Sequence, residues 1–198
     1  MNRPLLPRLA AACGVVFPIA LFLAVGNGNS FAPWRAVAST WALVLFLPFL
    51  AYLCGLLRTA ARDDGWLPTL ALVAGASGVL LKLVSHAPEL AIHQDHIAKG
   101  TPLYKALDHT AGAATTLCLY PLAIYAAAVA IIVLREQVLP RWVGVFAVLT
   151  AAALVVNGAF VFAGFVPALL LFLLWTLVTA IVVLRRTWVA STQVAYAT

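Results

Sequence analysis

Residues 142–184 read WVGVFAVLTAAALVVNGAFVFAGFVPALLLFLLWTLVTAIVVL, with no Asp, Glu, Lys or Arg among them. A membrane-spanning helix needs about 20 mostly apolar residues, because it rises about 1.5 Å per residue across a hydrocarbon core of about 30 Å. The stretch is long enough for two such helices, and it carries its own break at Gly164 and Pro167. It predicts two spans, about 142–163 and 167–184, joined by a tight apolar turn through Gly164-Phe165-Val166-Pro167.

Toward the N terminus, four more stretches meet the same requirement, at about 9–26, 37–57, 67–86 and 106–134. Helix breakers separate them: Gly26-Asn27-Gly28-Asn29-Ser30, Asp63-Asp64-Gly65 and Gly100-Thr101-Pro102. The expected fold is all-α, a polytopic bundle of six transmembrane helices forming one domain over residues 1–198. Composition agrees. The chain is 65% hydrophobic and 9% charged, against about a quarter charged in an average soluble domain. So few charges could not cover a soluble surface, whereas lipid tails accept an apolar exterior. The net charge of +6 does not point to nucleic acid, because most of the basic residues sit at span ends, where they anchor helices.

Their distribution sets an expected orientation. With the N terminus inside, the cytoplasmic segments hold Arg3, Arg8, Arg58, Arg62, Arg135, Arg141, Arg185 and Arg186. The outer segments hold Arg35, Lys99 and Lys105, and Lys82 lies within a span. Basic residues accumulate on the cytoplasmic side, so both termini are expected there, in a multi-pass protein of the cell membrane. Trp66 and Trp142 fall at the inner boundary and Trp34 near the outer one, as interfacial anchors do. Cys13, Cys54 and Cys118 are odd in number and far apart, which gives neither a disulfide framework nor a zinc knuckle. Leu9-Ala10-Ala11-Ala12-Cys13 imitates a lipoprotein cleavage site, but the apolar run continues beyond Cys13 and reads as the first span.

Chemistry concentrates between the third and fourth spans. His86, His93, His96 and His109 are all the histidines of the chain, and Glu89, Asp95 and Asp108 lie among them. If residues 82–96 are helical, Lys82, His86, Glu89, His93 and His96 recur at steps of four, three, four and three, which is one face. Thr101-Pro102 is a good helix start, so the two spans should form a hairpin turning near Gly100. Pro88 should kink the third helix or begin a separate interfacial one. With Asn157 in the outer part of the fifth span and Asn27, Asn29 and Arg35 at the outer ends of the first two, the pattern predicts an outward-facing polar pocket between spans three and four.

Blander readings stand beside each residue. His93, Asp95 and His96 also suit a solvated loop, and Lys82 suits a side chain reaching to the headgroups. Glu89 after Pro88 suits a first helical turn. Asn157 suits an interhelical hydrogen bond, and Gly75-Ala76-Ser77-Gly78 suits close helix packing.

Two chemistries fit the cluster. In an acid–base site, His86, Glu89, His93 and Asp108 would move protons, with Lys82, His109, Asn157 and Arg35 binding substrate. In a metal site, Glu89, His93, His96 and His109 would supply nitrogen and oxygen ligands of a kind zinc or iron accepts. Haem has less support, since no CxxCH occurs. Val138-Leu139-Pro140-Arg141-Trp142-Val143-Gly144 resembles the LPRWxG turn of uncharacterised bacterial six-helix integral membrane proteins. That resemblance covers one loop and the span pattern; it implies the fold and no activity. The favoured function is a small membrane enzyme acting on a lipophilic molecule drawn from the bilayer. The alternatives are a proton- or ion-coupled transporter or channel subunit, and an accessory subunit that docks a membrane-protein partner or a second copy.

Overall fold

The computed structural model describes residues 5–25, 33–61, 65–160 and 166–196. They form six helices: α1 (Leu5–Val25), α2 (Pro33–Ala60), α3 (Trp66–Gln94), α4 (Pro102–Glu136), α5 (Arg141–Phe160) and α6 (Val166–Tyr196). Each contains a segment long and apolar enough to cross a membrane, and no strand occurs among the described residues. Asn27, Asn29, Arg3, Arg62 and the turn through Gly164 and Phe165 lie outside the described residues.

Two helices run well past their apolar cores. Helix α6 extends to Tyr196, and α3 continues as one helix through Pro88 to Gln94, where a separate interfacial helix was one expectation. The polar face from Lys82 to His93 therefore sits on a single continuous element. Asp95 caps the end of α3 through its own N–H to Ala91 O at 3.0 Å. The chain turns at Gly100, whose φ of +90° suits glycine and few other residues. Thr101 then starts α4, its side chain accepting from the Tyr104 N–H at 3.2 Å with Pro102 beside it. The capping signal read from Thr101-Pro102 is present as built.

Contacts at several levels fix the packing. Phe17 meets Phe46, and Gly14 lies against Phe49, so α1 and α2 are antiparallel. Leu50 meets Gly75 and Ser39 meets His86, so α2 and α3 are too. Gly78 with Leu122 and Lys82 with Thr115 set α3 against α4. Leu134 with Gly144 and Tyr120 with Gly158 set α4 against α5. Helix α5 packs on α6, and α6 returns to α1, closing a ring in chain order whose most extensive contact is the α3–α4 hairpin. Gly78 permits that closeness, while Gly75 lies against Leu50 of α2. A Cβ on Gly78 would sit 2.6 Å from Leu122 Cδ2, inside contact distance.

The ring has two distinct ends. One carries Arg8, Arg58, Arg135, Arg141, Arg185 and Arg186; the other carries Arg35, the α3–α4 turn, Lys99 and Lys105. At the arginine-rich end, Arg186 donates to the Val138 carbonyl and clasps the turn before α5, where Leu139 is buried. Trp34, Trp66 and Trp142 are exposed near helix starts. The outward surface between the ends is apolar, with Phe22, Val73, Leu80, Leu117, Leu149 and Leu174 exposed, a surface suited to lipid.

Candidate functional site

A ring of six helices leaves an axial space, and the chain fills its two halves differently. Toward the arginine-rich end, aromatic side chains interlock. Phe46 stands edge-on to Tyr125 at 6.0 Å and to Phe172 at 6.2 Å, and Tyr125 to Trp175 at 5.5 Å between centroids. The Trp175 indole donates to Val143 O at 3.3 Å, tying α6 to α5. These rings are all buried, and edge-to-face arrangements of this kind are favourable beyond their area.

Toward the hairpin end the rings give way to a cavity of about 180 Å³. All six helices contribute to its wall, a wider lining than the expected pocket between the third and fourth spans. Phe46 and Phe172 line it as well as joining the aromatic cluster, so the cluster closes the cavity on that side. Most of the wall is apolar, including Leu21, Leu43, Val79, Leu119 and Leu169. Its polar groups are Lys82 on α3, Thr115 and Thr116 on α4, and Asn157 on α5.

Lys82 Nζ donates to Thr115 Oγ1 at 3.0 Å. The side chain thus turns inward across the hairpin and does not reach for the headgroups. Thr116 donates to Gly112 O and Cys118 to Thr115 O, so both side chains fold back on α4. Asn157 is buried on the cavity wall.

The remaining residues of the expected site are distributed along and around this column. His86 is buried one turn beyond Lys82, with its Nδ1 3.3 Å from Thr40 Oγ1 and its Nε2 3.5 Å from Ser39 Oγ. It bridges α3 to α2 and is not part of the cavity wall. Glu89 is half-buried, within electrostatic reach of Lys82 and Asp108. His93 is half-buried, and its ring meets that of His96 edge-on at 6.4 Å. Asp108 and His109 are exposed on α4. Arg35 lies 5.6 Å over the Trp34 ring at the hairpin end, away from the cavity.

The metal-ligand set of Glu89, His93, His96 and His109 is not gathered. His96 has left the helix with φ of 49°, and His109 is exposed on α4. No group of three or more His, Cys, Asp or Glu among the described residues is placed to hold a metal ion. Thr115, Thr116, Ser39 and Thr40 were missed in the sequence. A signal for Thr115 existed: it lies nearly as far after the hairpin turn as Lys82 lies before it, so an antiparallel pair must bring them level.

Compared with protein-family models, curated proteins and solved structures, the chain gives no match.

Proposed function

We propose that this chain is a multi-pass membrane protein that binds a lipophilic small molecule in its central cavity. The observation that carries the reading is a largely apolar space at the centre of the ring with a few polar groups on its wall, the usual make-up of a small-molecule site. Those groups, Lys82, Thr115 and Asn157, lie on three successive helices, so a bound molecule would be oriented from more than one side. We further place the arginine-rich end and both termini in the cytoplasm, on the strength of the basic residues gathered there. In that orientation the cavity lies toward the outer face of the cell membrane. Reporter fusions at Thr198 and in the Lys99–Gly100 turn should show opposite sidedness; a cytoplasmic Gly100 contradicts the orientation.

Val79 lies on the wall, so Val79→Phe projects bulk into the space. Binding of a fluorescent lipophilic probe to protein in nanodiscs should fall sharply in this variant, with helical content retained. Unchanged binding contradicts the reading.

A second reading, an acid–base enzyme acting on the same molecule, draws on the alignment of His93, Glu89, His86 and Lys82 along α3. There His86 passes protons toward the cavity and Glu89 exchanges them with the hairpin end. His86→Ala would then abolish turnover, by about 10²–10⁴-fold for a proton-transfer group, while leaving binding in place.

A further inference from the structure

We propose that the molecule held in the cavity is a single-chain amphiphile with a carboxylate head group, and that Lys82 is the residue that selects it. The inference rests on the reading of the cavity as a lipophilic binding site. An apolar chain gains little by leaving lipid for an equally apolar protein interior, because hydrocarbon already solvates it. Discrimination must therefore come from the head group, and the cavity presents one cation.

Lys82 offers three N–H donors, and among the described residues its one hydrogen bond is to Thr115 Oγ1. Thr115 accepts there and keeps its own proton to donate. Glu89 is within electrostatic reach of Lys82 but seven residues further along the same helix, about 10 Å in rise, and no hydrogen bond joins the two among the described residues. An ammonium at membrane depth is costly without a partner, and a ligand carboxylate meets that need directly through charge-assisted hydrogen bonds. Asn157, on the wall from α5, is a further polar group for the second carboxylate oxygen. The apolar residues beneath, Leu119, Leu122 and Phe172, receive the chain. The volume of about 180 Å³ suits one short chain.

The test compares decanoate with 1-decanol, which share a chain and differ in head-group charge. Each is measured as binding to the full chain in phosphatidylcholine nanodiscs above its partition into empty discs, at pH 8, where decanoate is ionised. Decanoate should bind about ten-fold or more tighter than decanol, the range expected of a charge-assisted contact. Lys82→Met should bring decanoate down to the decanol level, and Lys82→Arg should keep part of the preference. Equal binding of the two probes to the unaltered chain overturns the head-group assignment and leaves the lipophilic pocket standing. So does a decanoate preference that survives in Lys82→Met. If neither probe binds above empty discs, the pocket reading falls and takes this inference with it. Should Lys82→Met fail to fold, the comparison of the two probes on the unaltered chain still decides.

Discussion

The two halves of the ring's interior are built on the same six helices and differ in what fills them. Near the arginine-rich end, Phe46, Tyr125 and Trp175 are wholly buried and interlocked. Near the hairpin end, the same helices present Lys82, Thr115, Leu43 and Asn157 at the axis, and a cavity remains. Large rings from facing helices can close an axial space. Leucines, threonines and a lysine held to its neighbour by a hydrogen bond cannot. The proposed function puts binding in the second half and leaves stability to the first, and substitutions in each should separate the two properties.

The largest effect on stability belongs to Trp175→Ala. Removing a fully buried indole that joins two aromatic contacts and a hydrogen bond to α5 should cost about 3–5 kcal/mol. Thermal unfolding in detergent would show it, and a loss no larger than that of a surface variant would break the comparison. Gly78→Val is next. The added side chain must displace Leu122 where α3 packs on α4, at about 1–3 kcal/mol for overpacking. Because Gly78 also lines the cavity, this variant should lose probe binding as well, which Trp175→Ala should do only through unfolding.

His86→Ala should cost about 1 kcal/mol, since two hydroxyls on α2 lose a polar partner. On the binding reading, probe affinity should change little, because His86 is outside the cavity wall; a ten-fold loss would move the site toward the hairpin. Asp108→Ala and His109→Ala should be within about 0.5 kcal/mol of the unaltered chain, as exposed positions are. A large effect of either on binding would restore the hairpin face as part of the site.

The six spans were legible because each hydrophobic run exceeds what a soluble core helix needs, and because Gly and Pro punctuate the runs. Thr101, Pro102 and Gly100 announced the hairpin, and the turn is built as they imply. The candidate site was legible only in part. Lys82 and Asn157 stood out as polar residues in apolar runs, and both reach the cavity wall. The histidine cluster stood out more and led further from it. Clustering in sequence reports that residues share a stretch of chain, while rotation about the helix axis decides which of them face one another. His86 turns toward α2, Asp108 and His109 are exposed, and His96 sits beyond the helix end. The apolar wall could not be read at all, because a Leu lining a cavity and a Leu facing lipid look the same in sequence.

Two native cysteines test the contrast between the halves without any substitution. Both Cys118 and Cys54 are buried in the core, but Cys118 also lines the cavity and Cys54 does not. Treating the protein in nanodiscs with N-ethylmaleimide and mapping the modified peptides by mass spectrometry would give the two rates side by side. The account predicts that Cys118 is modified before Cys54 and is slowed by an added lipophilic carboxylate, while Cys54 stays unmodified until the protein unfolds. Modification of Cys54 as fast as Cys118, with no protection of either, would contradict an open cavity above a closed aromatic core.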